Sequence, residues 1–88
     1  MLIAVYKSIF LKDLEKAKKR EKNLAKFIAL AELLLKEKTL PAKNRNHKLQ
    51  GSYKGFWECH IEPDWLLVYE KTEQEIIFAR TGTHSDLF

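Results

Sequence analysis

Residues 56 to 80 read FWECHI, EPD, WLLVYE, KTEQE, IIFAR: three apolar and aromatic runs parted by two short polar breaks. Runs of this length, rich in Ile, Val, Phe, Tyr and Trp, are strand signals when turn residues bound them. Pro63 is pre-set for the first central position of a turn, so Glu62-Pro63-Asp64 reverses the chain. The spacing predicts strands over 56–61, 65–70 and 76–80 in an antiparallel meander. The middle run carries apolar residues on both faces, so the sheet needs another layer to pack against.

The first half of the chain supplies that layer. Residues 2 to 6, LIAVY, predict a short strand that must join the same sheet. Ser8 is placed to cap a helix, with Phe10, Leu14 and Ala17 at helical spacing and Lys12, Lys16, Lys18, Lys19 and Arg20 mostly facing away. Asn23 is placed to cap a second helix whose wide stripe is Leu24, Phe27, Ile28, Ala31, Leu34 and Leu35. Lys36 and Lys38 near its end complement the helix dipole. Pro41 stops it. From there to Gly55 no periodicity is evident, and irregular connections of that length tend to be functional or disordered. The expected architecture is α+β in the order β-α-α-β-β-β, a single domain over residues 1–88. A helix hairpin covers one sheet face and the other face is partly open, a natural place for a site. A chain of 88 residues buries a little over roughly 60% of its extended surface, enough for one modest core.

Composition narrows the function classes. Hydrophobic residues make up 45% of the chain, too many for a disordered protein. The net charge of +4 favours polyanionic partners such as RNA, DNA or an acidic protein. Cys59 is alone, so no internal disulfide and no CxxC zinc pair are available, which points to a reducing compartment, most simply the cytoplasm. No apolar run approaches the roughly 20 residues of a membrane span, and the start MLIAVYKSIF lacks the features of a signal peptide. No membrane is expected as a partner.

The chemistry-bearing residues are few. His47 lies in the long basic connection, His60 near the end of one strand, His84 just past another. In a meander the end of strand 56–61 adjoins the start of strand 65–70, and strand 76–80 returns to the same edge. His60, Asp64, Arg80 and His84 are therefore expected to gather at one end of the sheet, with the connection carrying Lys43, Arg45, His47, Lys48 and Lys54 closing over them. Metal-free RNA cleavage needs a base for the 2′-hydroxyl, an acid for the leaving oxygen and cations for the phosphorane. Histidine suits the first two tasks and arginine the third. Arg45, Lys48 and Lys54 fit phosphate contact, and Tyr53, Trp65 and Phe88 are expected to stack on splayed bases. Taken singly, each histidine reads more readily as a surface or hydrogen-bonded core residue than as a catalytic one. Three histidines with Asp64 are also a zinc-ligand set, but neither HxH nor HExxH spacing is present. Strand alternation puts Cys59 and His60 on opposite faces, which argues for Cys59 as a buried filler rather than a nucleophile.

The stretch HKLQGSYKGFWECHIEPDWLLVY, 47–69, with RTGTHSDLF, 80–88, resembles the YafQ-type toxins of the RelE/ParE superfamily, from bacterial type II toxin–antitoxin systems. The likeness is dense over the C-terminal half and unspecific over the helices. It implies an endoribonuclease that cuts mRNA in the ribosomal A site without a cofactor and leaves a 2′,3′-cyclic phosphate or its hydrolysis product. It also implies an antitoxin that silences the enzyme by laying an acidic or amphipathic segment over the basic groove, and contact with operator DNA only through that complex. Carried over, the catalytic set is His47, His60, Asp64 and His84. His84 and Asp64 share the proton transfers, His47 and His60 assist or hold phosphate, and Arg80 stabilises the transition state. Trp65 and Phe88 match positions that support the site, and Leu87 and Phe88 pin the terminus against it. Two departures stand out: Trp57 where such toxins often carry Arg, and Asn46 where they carry Asp. If the missing arginine holds phosphate in such toxins, Arg80 or Lys54 must substitute for it here, or the activity is weaker. The competing expectation is a non-catalytic member of the fold that acts by binding, on gyrase or within a repressor complex.

Overall fold

The computed structural model describes residues 1–88. Its elements are β1 Ile3–Tyr6, α1 Ser8–Lys19, α2 Leu24–Leu35, β2 His47–Lys48, β3 Trp57–Glu62, β4 Trp65–Lys71, β5 Glu75–Gly82 and α3 His84–Leu87. The meander expected from the turns is present, β3 antiparallel to β4 and β4 to β5. The five-stranded sheet has the order β1-β5-β4-β3-β2. The basic connection, expected to be irregular, contributes the two residues of β2, antiparallel to β3, between 3₁₀ turns at Ala42–Asn44 and Gly51–Tyr53. Two paired residues are too few to print a period of two on the sequence. The short helix α3 was likewise not anticipated.

β1 runs parallel to β5 but pairs only with Glu75 to Phe78, so the rest of β5, including Arg80, has no strand neighbour on that side. The expected cap of α1 is corrected. Ser8 is its first helical residue; Lys7 stands at the N-cap with extended backbone and no side-chain cap bond. The Lys7 amide donates to the Phe78 carbonyl at 3.1 Å, extending the β1–β5 ladder one residue, and the helix starts only after that bond. Asn23 does cap α2, its Oδ1 accepting from the Ala25 amide at 3.1 Å. The buried stripe of α2 is Phe27, Leu30, Ala31 and Leu34. Ile28, expected inside, is 60% exposed because it lies one step round the helix from that stripe.

Both faces of β4 are covered. The helix hairpin packs on the face of Cys59, Leu67, Tyr69 and Phe78. Phe10 sits among Tyr6, Phe27 and Phe78, with ring centroids 5.9, 5.5 and 5.6 Å away, in the tilted geometry that aromatic quadrupoles favour. The opposite face carries a smaller cluster of Leu66, Val68, Ala79 and Leu87, edged by Leu49 and Phe56. Cys59 is fully buried on the helix side; burial, then the neighbouring Glu58 charge, pushes its thiol up to about 12, and it has no thiolate to offer at neutral pH. No helix is long and apolar enough to cross a membrane.

Phe10→Ala removes the centre of the aromatic cluster. It is expected to lower unfolding free energy by about 3–5 kcal/mol, read as a fall in urea midpoint at unchanged denaturant slope.

Candidate functional site

Glu58 and His60 alternate with Cys59 along β3 and so face away from the helix hairpin. The β2–β3 register sets His47 directly opposite Glu58. The Glu58 carboxylate is buried, with only 6% of its side chain exposed, and both imidazoles turn to it: His47 Nε2 lies 3.4 Å and His60 Nε2 3.9 Å from Oε1. The other nitrogen of each ring faces a main-chain carbonyl, His47 Nδ1 at 2.6 Å from Arg45 O and His60 Nδ1 at 3.1 Å from Pro63 O. A carbonyl only accepts, so Nδ1 carries the proton in both rings and Nε2 is the nitrogen that gains or loses one. Glu58 was missed from the sequence; an acidic residue two positions before a histidine in a strand, on the face without helices, was the available signal.

The segment leading to His47 is pinned from two directions. Asn44 Nδ2 donates to the His60 carbonyl at 2.7 Å. Tyr69 donates its hydroxyl to Asn46 Oδ1 at 2.7 Å. Between them Arg45 adopts a left-handed backbone, φ 46°, rare for a residue with a Cβ, and this turns its carbonyl toward the His47 ring.

Asp64 and His84 meet through the main chain: Asp64 Oδ1 accepts from the His84 amide at 3.1 Å. Thr83 and Asp86 form a reciprocal capping box around the start of α3. Gly82 allows this closure, since a Cβ there would stand 3.0 Å from Asp86 Cβ and Oδ2. Asp86 is in turn gripped by α1, its Oδ2 accepting from Arg20 at 2.7 Å and its Oδ1 facing Lys16 at 3.4 Å. The Arg20 guanidinium, then the Thr83 amide, hold its carboxyl well below the usual carboxylate range. The His84 ring is 5.3 Å from Phe88, and Phe88 5.1 Å from Tyr53, centroid to centroid.

Arg80 is oriented rather than loose. Its Nε and Nη2 donate to Asp13 of α1 at 2.7 and 3.2 Å, and the Thr81 amide donates to the same carboxylate at 3.2 Å. Nη1 is left without a protein partner. Arg80 lines a largely apolar cavity of about 300 Å³ together with Tyr53, Phe56 and Phe88. The sequence-predicted residues thus fall into a His47–Glu58–His60 group, an Asp64–His84 group extended by Phe88 and Tyr53, and Arg80 on Asp13. Arg45 lines a separate cavity beside His60.

Two expectations are corrected. Trp65 is 1% exposed and donates its indole N–H to Thr81 Oγ1 at 2.9 Å, so it cannot stack on a base and acts as a buried strut under β5. Lys48 lies over the Trp57 ring at 5.4 Å, a cation–π contact on the helix side of the sheet. Lys54, by contrast, is exposed, as the expected phosphate contact requires.

His47 and His60 thus sit on the helix-free face of the sheet, and His84 in the capped C-terminal turn. Residues 3–88 match the family described as YafQ, bacterial toxin of type II toxin–antitoxin system. The chain belongs to that family. It is 44% identical over 84 residues to the mRNA interferase toxin YafQ of Escherichia coli K12, covering 94% of this chain and 91% of that one. YafQ in the E. coli DinJ–YafQ toxin–antitoxin complex superposes with a TM-score of 0.92 at 42% identity, over 99% of this chain and 97% of that one. A copper-bound L66S mutant toxin from Helicobacter pylori gives 0.96 at 36% identity with both chains fully covered. No group of three or more His, Cys, Asp or Glu side chains in the chain is spaced to hold a metal ion.

The Asp86 network makes a pH prediction. A carboxyl that titrates lower in the folded than in the unfolded chain contributes stability fully above the ordinary carboxylate range and loses it as pH falls. Between about pH 5 and pH 2 the urea midpoint of the wild type should therefore drop more steeply than that of Asp86→Asn. Equal slopes would show that the α1–α3 contact contributes nothing.

Proposed function

We propose that this YafQ-family chain is the toxin of a type II system and cuts mRNA on the translating ribosome. The observation that carries the reading is the buried Glu58 carboxylate facing Nε2 of both His47 and His60, with a cavity opening beside His60. A module that acts by occlusion alone has no need of such an acid–base group. In the reaction the 2′-oxygen loses its proton to a base and forms a bond to the adjacent phosphorus. The bond from phosphorus to the 5′-oxygen breaks, and that oxygen takes a proton from an acid, leaving a 2′,3′-cyclic phosphate and a 5′-hydroxyl.

His84 and Asp64 share the two proton transfers. Asp64, already bonded to the His84 amide, fixes where that residue enters α3. A protonated Nε2 on His47 or His60 is ion-paired with Glu58, which keeps positive charge beside the phosphate. Arg80, braced by Asp13, presents its free Nη1 to the phosphorane oxygens. Phe88 and Tyr53 supply exposed ring edges and faces for an unstacked base. E. coli YafQ forms a toxin–antitoxin complex with DinJ, and for this chain too an antitoxin is the partner that covers this surface and silences it; operator DNA is met only through that complex. The setting is the cytoplasm, where message and ribosomes are.

His84→Ala is expected to slow cleavage about 10²–10⁴-fold with little change in urea midpoint, since its ring is on the surface. Glu58→Gln keeps the size, removes the charge, and should cost about 10- to 100-fold. Mapping of cut ends on a translated message is the measurement. Intact messages under wild-type toxin would refute the nuclease reading.

A further inference from the structure

Between the Ala42–Asn44 turn, the β3–β4 turn and α2 lies a polar cavity of about 520 Å³ whose wall includes His60, Asn44, Lys43, Arg45, Lys26 and Glu62. A second cavity of about 290 Å³ shares Lys26, Lys43 and Asn44 with it, so the two form one groove leading from His60 toward α2. Its single carboxylate, Glu62, is already taken by Lys22 at 3.2 Å and Lys26 at 2.8 Å. Lys43 and Arg45 have no acidic partner. Asn44 is 5% exposed; its Nδ2 is spent on the His60 carbonyl at 2.7 Å, and its Oδ1 has no hydrogen-bond partner. A buried acceptor left open costs free energy unless a donor arrives. The groove therefore offers two uncommitted cations and one unsatisfied acceptor, one hydrogen bond away from the main chain of His60.

We propose that this groove is a second phosphate subsite for single-stranded RNA, gripping a phosphodiester neighbouring the one that is cut. This rests on the reading of the His47, His60 and His84 surface as an RNA-cleaving site. Lys43 and Arg45 neutralise the phosphate. Asn44 Oδ1 is itself buried, so a ribose hydroxyl or exocyclic amine of the same nucleotide reaches it only as the Ala42–Asn44 turn gives way. The left-handed backbone of Arg45 joins the subsite to the reaction, because the same turn sets the carbonyl that holds His47 Nδ1. The subsite thus binds the strand while keeping the imidazole in register. An acidic protein segment is the competing occupant; the α2 end of the groove, walled by Ala29, Leu30, Leu33 and Pro41, is apolar, but the wall beside His60, where Lys43 and Arg45 stand, is polar.

The test compares a trinucleotide with a hexanucleotide, each carrying a 2′-deoxy sugar at the cut position so that neither is cleaved, by fluorescence anisotropy with the full chain. Arg45→Asn tolerates the left-handed φ and removes the guanidinium while keeping a Cβ to hold the turn; Lys43→Ala removes the ammonium. Together they should weaken hexanucleotide binding about tenfold or more, leave the trinucleotide unchanged, and lower the salt slope by about 0.7 per cation lost. Lys12→Ala, on exposed α1, should do none of this. Equal losses on both lengths, or the same loss from Lys12→Ala, would overturn the subsite in favour of diffuse charge. Unchanged RNA binding with weakened binding of the antitoxin would overturn it in favour of a protein segment. Cleavage of a translated message by the wild type tests the nuclease reading separately, since the anisotropy signal needs no catalysis.

Discussion

β4 governs the architecture. Residues 65 to 69 are all buried, so apolar side chains must cover both faces of one short strand. The two helices are enough for one face. For the other, the chain has only Leu49, Phe56 and Leu87 to add to Leu66, Val68 and Ala79. That imbalance leaves the flank of β3 on the second face free of apolar cover. Polar groups are tolerated there because they are paired, and this is where Glu58, His47 and His60 lie. The site is the part of the sheet that the core did not have residues to close.

The same helix that fills the first face also orders the C-terminal segment. α1 sends Asp13 to Arg80 and Lys16 and Arg20 to Asp86, contacts that span more than 65 residues of sequence. Ion pairs at a surface each contribute little to stability, of the order of 0–1 kcal/mol. Their effect here is positional. Arg80 is held by two nitrogens with a third left over, and α3 is fixed at its first turn by a carboxylate that both caps the helix and binds α1. The uncovered edge of β5 beyond Phe78 makes room for these side chains, since β1 ends before it reaches Arg80.

The meander was legible in the sequence because strands of this length between turn residues print a clear pattern, and the helix hairpin because its caps and stripes do. β2 was not, being two residues long, nor α3, whose cap Thr83 and partner Asp86 sit inside a segment that looks like a tail. At the site, sequence reasoning found the titratable residues with unusual chemistry and missed the ordinary carboxylates. Glu58 and Asp13 resemble any surface acid until the register shows what they face. Trp65 failed in the opposite direction: an aromatic at the mouth of a turn reads as a stacking platform, but the buried Thr81 hydroxyl gives its indole a partner inside. Lys48 was misplaced by the same ignorance of register that hid β2.

Register also settles what Trp57 means. Such toxins often carry arginine at this position, and its absence here raised the question of what replaces it. Trp57 alternates with Glu58 and shares its face with Cys59, packing against the helix-side core with its ring 6.3 Å from Tyr69 and nearly parallel to it. Lys48 covers its outer side. Any side chain leaving the sheet on that face points away from Glu58 and His60, so an arginine at 57 would have to curl round the edge strand to reach them. The tryptophan therefore removes no group from the His47–Glu58–His60 surface. What it adds is a cover for Tyr69, whose hydroxyl holds Asn46 and, through it, the start of β2. The stacked Trp57 and Tyr69 rings and the Tyr69 hydroxyl bond to Asn46 thus hold the His47 segment in place from the helix side.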